Sequence, residues 1–302
     1  MLKPSKIFIV LNALLLAGLS LSGAWYLEYQ FYLAVILVVL FGIPHGAIDH
    51  ILFVKNTKSN YLRFYGLYLS LIALIFVLWL LIPLTSMVFF LVISAYHFGQ
   101  SQFSKYTLVT KKARAILYIS WGVSILSGLS FYNYNELAEL FTSSTDIVNL
   151  LELFQPQALI VVLFLSSICF FVVLAYNYKA FSIKQLGLEF ILFLLIHLCF
   201  YFHSLLLGFS LYFATLHSFQ VLKEEYKFLN SKVKYLNMAS FLTKLLPYTI
   251  ISLVGITVML CLSHYQIIPF SKTLLIFMSI SALTLPHSMV MENFYSTLFR
   301  SK

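Results

Sequence analysis

The sequence predicts an all-α integral membrane protein, one polytopic helical bundle over residues 1–302 with about ten transmembrane helices. Composition is the first observation: 61% of the 302 residues are hydrophobic and only 10% are charged. Soluble domains are roughly 45–50% apolar and about 25% charged, and so few charges would not keep a chain of this size dispersed in water. The second observation is that the basic residues stand between long apolar runs, as topology signals do. Disordered, fibrous and nucleic-acid-binding classes are therefore excluded for the whole chain.

The apolar runs define the predicted spans, because a helix needs about 20 apolar residues to cross a bilayer. The spans run over Ile7–Tyr26, Phe31–Phe53, Phe64–Ile82, Thr85–Phe103, Ala113–Phe131, Ala158–Tyr178, Lys184–His203, Ser204–Leu222, Leu245–Ser263 and Thr273–Tyr295. The first is interpreted as a retained span, since its apolar stretch is long and no clear small-x-small cleavage site follows it. Eight spans also fit if one pair is re-entrant or interfacial. The segment Asn135–Phe154, which is acidic, is interpreted as a short interfacial helix.

Lysines and arginines orient the bundle. They cluster in alternate gaps between spans, whereas the remaining gaps hold Lys272 as their basic residue and several acidic residues. By the positive-inside rule the basic gaps are cytoplasmic, which places both termini in the cytoplasm and the protein in the cell (inner or plasma) membrane. The net charge of +9 therefore indicates topology rather than a nucleic-acid partner. The partner that the chain requires is the lipid bilayer.

Four histidines lie inside predicted spans at comparable depth. His45, His97, His217 and His287 are on the second, fourth, eighth and tenth spans, roughly 7–16 Å from the cytoplasmic ends at 1.5 Å per residue. A single intramembrane histidine is more often a packing residue, but ionisable groups within a membrane mark function. Four imidazoles at one level on separate helices are what a metal in a bundle core needs. Because no cysteine accompanies them, they favour iron or another transition metal that prefers imidazole.

The segment around His45 predicts an interrupted helix. Gly42, Pro44 and Gly46 imply a kink or partial unwinding, which a membrane tolerates where the backbone lines a cavity. Asp49 follows His45 by four residues, on the same face of a continuous helix. It is a candidate to hydrogen-bond a ligating histidine and fix its tautomer. The alternative is a carboxylate near the interface, bonded to water or to a lysine.

The other histidines are assigned less directly. His50 lies one turn beyond His45 and is a candidate fifth ligand, proton relay or interfacial residue; with Asp49, it is assigned as a residue that supports the metal ligands. His197 lies near the middle of the membrane, and its role stays open. His203 and His264 fall at the outer ends of spans, where an imidazole meets water, and both are interpreted as interfacial.

Four short motifs, in order along the chain, then point to a family. They are Gly-x-Pro-His-Gly-Ala-x-Asp at Gly42–Asp49, His-Phe-Gly at His97–Gly99, Tyr-Phe-x-x-x-His-Ser at Tyr212–Ser218 and Pro-His at Pro286–His287. In these motifs the sequence resembles the bacteriorhodopsin-related-protein (Brp/Blh) family of membrane β-carotene 15,15′-dioxygenases. The order and spacing match over nearly the whole chain.

This resemblance implies an enzyme that cleaves the central double bond of β-carotene with Fe(2+) and O₂ to give two retinal molecules, and it implies a functional link to a microbial rhodopsin. The family's iron ligands carry over to His45, His97 and His217. Some members have a further histidine four residues after the third motif's histidine, where this chain has Val221. The fourth ligand is then either His287 or His50, or else three histidines and water hold the metal.

Three rival functions are alternatives to this interpretation of the sequence. A membrane di-iron hydroxylase would need clustered HxxxH or HxxHH boxes, which the sequence lacks. A histidine-lined metal or proton transporter would place polar groups at successive depths through the membrane rather than at one level. A non-catalytic partner of a retinal protein is the third, and Val221 keeps it open.

Overall fold

The computed structural model describes residues 3–22, 24–53, 58–232 and 237–299, and within these ranges every regular element is helical. The α-helices are α1 (Pro4–Ser22), α2 (Ala24–Leu37), α3 (Asp49–Phe53), α4 (Lys58–Leu81), α5 (Pro83–Phe103), α6 (Lys111–Tyr132), α7 (Tyr134–Thr142), α8 (Pro156–Tyr176), α9 (Ile183–Phe202), α10 (Leu205–Leu211), α11 (Phe219–Lys232), α12 (Met238–His264) and α13 (Lys272–Phe299). The described residues also form two π-helical segments (Val38–Gly42 and Tyr212–Ser218) and three 3₁₀ turns (Pro44–Gly46, Val148–Phe154 and Tyr178–Ala180). The predicted all-α class is confirmed.

Eight helical segments in the described part of the chain are long and apolar enough to cross a membrane. They are Tyr29–Phe53, Tyr61–Leu81, Lys111–Tyr132, Pro156–Tyr176, Ile183–Phe202, Leu205–Ser231, Met238–His264 and Lys272–Leu298. Each coincides with one of the ten predicted spans, so a polytopic membrane protein is confirmed. The other two predicted spans, Ile7–Tyr26 and Thr85–Phe103, overlap α1 and α5, which are not among the eight segments that are long and apolar enough to cross a membrane.

The second half of α5 lowers the mean hydropathy of this helix below that of the eight candidate spans. It carries five polar side chains that are all at most 7% exposed, namely Ser94, His97, Gln100, Ser101 and Gln102. These side chains face protein rather than lipid, so the helix does not need the apolar surface of a lipid-facing span. Helix α5, with 21 residues, is therefore long enough to cross a membrane although its mean hydropathy is too low for it to be counted among the eight.

Contacts between Cα atoms divide the chain into two compact units, and the first comprises residues 1–42, 95–138 and 153–221. Within it α6 packs against α8 and α9, and α10 packs against α2. The aromatic residues Trp121, Phe170 and Phe193 form part of its core, with ring centroids 5.0 Å apart for the first two and 5.5 Å apart for the last two. A Cβ on Gly99 of α5 would overlap the backbone of Tyr118 on α6, so glycine is required for this close helix crossing.

The second unit comprises residues 43–94, 139–152 and 222–302. Its long helix α13 packs against α3, α4 and α12. Trp79 of α4 is 2% exposed and donates its indole N–H to Ser281 Oγ of α13 at 2.7 Å, which satisfies a buried donor. The prediction of a single domain over residues 1–302 stays a prediction.

The predicted interfacial segment Asn135–Phe154 forms α7 and the 3₁₀ turn Val148–Phe154 rather than one continuous helix. Along α7, Leu137 and Phe141 are buried, whereas Glu136 and Glu139 are exposed. This alternation is typical of a helix with one apolar and one polar face.

Candidate metal centre

In the first unit, two predicted ligands form a buried pair. His97 on α5 and His217 on the π-helical segment Tyr212–Ser218 are 2% and 1% exposed, and their ring centroids lie 4.8 Å apart in an edge-to-face arrangement. π-Helical turns within α-helices frequently occur at functional sites. The sequence showed no sign of this one, because the segment contains neither glycine nor proline.

The His217 ring is held on several sides. Ser101 Oγ lies 2.8 Å from its Nδ1 atom, Phe213 stacks on its face with centroids 5.4 Å apart and planes inclined by 13°, and the Phe98 ring meets it edge-on at 5.0 Å. A Cβ on Gly42 would lie 2.8 Å from Phe213 Cε1, so the glycine leaves room for the stacked ring. The imidazole is therefore fixed by both packing and a hydrogen bond.

In the second unit, His45 and His287 form a matching pair. Their ring centroids also lie 4.8 Å apart, and a ring nitrogen of one is within 4.8 Å of a ring nitrogen of the other. His45 sits in the 3₁₀ turn Pro44–Gly46, and the π-helical segment Val38–Gly42 ends just before it, which confirms the predicted interruption of the helix. A Cβ on Gly46 would approach His287 Nδ1 to 3.3 Å, which is why a glycine suits this position.

Asp49 hydrogen-bonds a predicted ligand, but on a distant helix. Its carboxylate oxygens lie 2.9 and 3.1 Å from Nδ1 of His287, and Asp49 Oδ2 also accepts a hydrogen bond from the Tyr68 hydroxyl at 3.0 Å. The prediction that His45 and Asp49 share one helix face required a continuous helix. The backbone instead forms a 3₁₀ turn and a second turn between them, so the i/i+4 spacing does not apply. With the carboxylate as acceptor in this hydrogen bond, Nδ1 of His287 is the donor and Nε2 is the nitrogen that suits a metal.

His50 has a different environment from these four. Its ring lies 4.4 Å from the ring of Tyr248 and 6.2 Å from that of Tyr65, measured between centroids, and the two tyrosine hydroxyls are 2.8 Å apart. This surrounds the imidazole with aromatic rings in the second unit. The assignment of His50 as a residue that supports the ligands stays a prediction.

The remaining histidines fall into three environments. His197 is buried, and its ring centroid lies 4.4 Å from that of Phe193. The interfacial interpretation of His203 is wrong, since this residue is 3% exposed and its Nε2 lies 3.0 Å from Asn12 Oδ1 of α1, which covers it. His264 is exposed, with Nδ1 3.3 Å from the Lys272 ammonium, as expected of an interfacial residue.

Two residues that hydrogen-bond within this region, Ser101 and Tyr68, were not predicted from the sequence. Ser101 and Tyr68 are not metal ligands, and neither belongs to one of the four motifs. Ser101 follows His97 by four residues on α5, so its helical position alone would have placed it on the same face. Tyr68 lies on a different helix from its partner, and only the tertiary structure relates it to Asp49.

The donor set fits a metal ion that prefers imidazole. Each unit places two imidazoles together, and one imidazole of each pair has an oxygen partner at Nδ1: a hydroxyl for His217 and a carboxylate for His287. Metal-ligating histidines almost always have such a partner on the second ring nitrogen. Each pair, His97 with His217 and His45 with His287, could therefore supply imidazole ligands to such an ion.

Comparison with known proteins decides the family. The family model described as beta-carotene 15,15′-dioxygenase matches residues 36–295, a range that includes all four histidines. The chain belongs to the beta-carotene 15,15′-dioxygenase family. As a member of this family it is a carotenoid-cleaving oxygenase. The beta-carotene 15,15′-dioxygenase of an uncultured marine bacterium, 66A03, is 26% identical over 269 residues, which cover 86% of this chain and 92% of that relative. No solved structure matches the chain.

Proposed function

We propose that this membrane oxygenase binds one Fe(II) ion through His45, His97, His217 and His287 and cleaves the 15,15′ double bond of β-carotene with O₂. Each half of the polyene leaves as retinal, and each aldehyde takes one oxygen atom, so the reaction needs no external reductant. The observation that carries the proposal is that the four histidines form two close pairs, each with an oxygen partner at the Nδ1 atom of one ring.

The residues prepare the site rather than react themselves. Ferrous iron would supply the electrons that let O₂ add to an alkene, which side chains cannot do. Asp49 and Ser101 hold His287 and His217 with one nitrogen occupied, so that each ring presents its other nitrogen. Phe98 and Phe213, which pack on His217, give this part of the site an apolar wall that suits a polyene and keeps water from reactive intermediates.

Val221 supplies no ligand in this assignment. It is fully buried and apolar, so the further histidine of some family members has no counterpart at this position. We therefore assign His287 as the fourth ligand, and its hydrogen bond to Asp49 supports this assignment. We expect Val221→Ala to retain iron and retinal formation.

The substrate and product suit a membrane location. β-Carotene is dissolved in the lipid, and a bundle with eight candidate spans in its described residues would admit it laterally. The positive-inside pattern favours the cell membrane. Retinal would be released into the same bilayer, where a microbial rhodopsin can take it up.

The test is expression in a bacterial host that accumulates β-carotene, with retinoids and apocarotenals separated by chromatography and iron measured per protein molecule. The wild type should hold one iron and form retinal alone. Alanine variants of the four histidines should each lose iron and retinal together, and His264→Ala, an exposed histidine, is the matched control. If the variants of one pair lose iron while those of the other pair retain it, the four-histidine site is wrong. Detection of apocarotenals of unequal length would show that a double bond other than the 15,15′ bond is cleaved.

A further inference from the structure

Ser101 makes two side-chain contacts that together determine where a proton lies. Its hydroxyl oxygen is 2.9 Å from the carbonyl oxygen of Phe98, three residues earlier on α5, and 2.8 Å from Nδ1 of His217. Ser101 is 3% exposed and His217 is 1% exposed, so exchange of these partners for water is disfavoured. All three residues belong to the first unit.

A serine hydroxyl has one proton to donate and two lone pairs to accept with, whereas a carbonyl oxygen only accepts. In the hydrogen bond to the carbonyl of Phe98, the Ser101 hydroxyl is the donor, and this bond uses its proton. The contact with His217 can then form only if Nδ1–H of the ring donates to Ser101 Oγ. Both hydrogen bonds are satisfied with His217 in its Nδ1–H form, and this form leaves the lone pair on Nε2.

The main chain of Ser101 also contacts the segment that carries His217. Its carbonyl oxygen accepts a hydrogen bond from Gln220 Nε2 at 2.6 Å, just after the π-helical segment ends at Ser218. One residue of α5 thus contacts the ring of His217 through its side chain and the residues that follow through its backbone. The position of the hydroxyl relative to the imidazole is consequently well defined.

We infer that Ser101 is a positioning residue that selects the Nδ1–H tautomer of His217, so that Nε2 is the atom offered to the metal. This inference rests on the proposed function, since it takes His217 to be an iron ligand. It parallels the contact between Asp49 and His287, in which a carboxylate selects the same tautomer. The two units therefore use different groups, a neutral hydroxyl and a carboxylate, for one purpose.

The test is a titration of the purified full-length protein with Fe(II) against a competing chromogenic chelator, under anaerobic conditions. Ser101→Ala should weaken iron binding by about 10–100-fold, the usual effect of removing a residue that orients a ligating histidine. Ser101→Thr, which keeps the hydroxyl, should restore most of the affinity. Ser130→Ala is the matched control, because Ser130 is in the same unit and its hydroxyl donates to the backbone carbonyl of Leu126.

A double-mutant cycle separates positioning from a structural effect. In a His217→Ala background, Ser101→Ala should leave the residual iron affinity unchanged, because the ring that it orients is gone. If Ser101→Ala lowers the affinity equally with and without His217, or does not lower it at all, Ser101 does not position this ligand. If His217→Ala itself binds iron like the wild type, the ligand assignment in the proposed function fails instead.

Discussion

The carboxylate of Asp49 accepts a hydrogen bond from Nδ1 of His287 at 2.9 Å, and the two residues are separated by 238 positions in the sequence. Both are buried, at 3% and 5% exposure. The contact joins the start of α3, directly after the interrupted helix, to the middle of α13. It therefore connects the local backbone at His45 to the second histidine of the same pair.

Replacing Asp49 should weaken metal binding. Asp49→Ala leaves a buried imidazole N–H without its acceptor, which costs about 1–3 kcal/mol, and should lower iron affinity by about 10–100-fold. Asp49→Asn keeps an oxygen acceptor and should lose less. The measurement is the Fe(II) titration, with Asp146→Ala as control, since Asp146 accepts from the Ser271 backbone at 2.8 Å. Wild-type affinity in Asp49→Ala would show that this carboxylate does not support a ligand.

Tyr68→Phe should produce a smaller effect in the same direction. The Tyr68 hydroxyl donates to Asp49 Oδ2 at 3.0 Å, so its removal takes one hydrogen bond from the carboxylate and leaves the bond to His287 intact. We expect iron affinity between those of the wild type and Asp49→Ala. Tyr65→Phe is the control, because the Tyr65 hydroxyl bonds that of Tyr248. A Tyr68→Phe protein that binds iron more weakly than Asp49→Ala would contradict this order of effects.

The features that follow from local physics were predictable from the sequence. Lipid imposes a minimum length on an apolar helix, so runs of apolar residues predict the spans. Gly42, Pro44 and Gly46 predict the interruption of the helix at His45. Pairings between distant helices were not predictable. Neither the π-helical turn at His217 nor the contact between Asp49 and His287 has a local signature. The predicted exposure of His203 to water was wrong for the same reason, since nothing near it in the sequence indicates that Asn12 covers it.

Gly99 of the His-Phe-Gly motif should be required for folding rather than for chemistry. A Cβ at this position would overlap the Tyr118 backbone, and overpacking costs about 1–3 kcal/mol or more. Gly99→Ala should therefore lower the thermal unfolding temperature of the solubilised protein. Gly66→Ala on α4 is the control, because no atom lies within 4 Å of a Cβ there, and it should stabilise the helix by about 0.5–1 kcal/mol. A Gly99→Ala protein as stable as the wild type would contradict the tight crossing of α5 and α6.

Stability should fall in mild acid because of His203. This residue caps the C-terminal end of α9, directly after the candidate span Ile183–Phe202, and burial lowers its pKa from 6.5 to about 4. The unfolded chain then binds a proton below about pH 6.5 that the folded chain does not bind until about pH 4, so stability decreases as the pH falls through this range. Thermal unfolding at several pH values should show this decrease, and His203→Gln, which has no titratable group, should reduce it. The exposed His264→Gln is the control and should keep the wild-type slope. An unchanged slope in His203→Gln would mean that other groups cause the acid sensitivity.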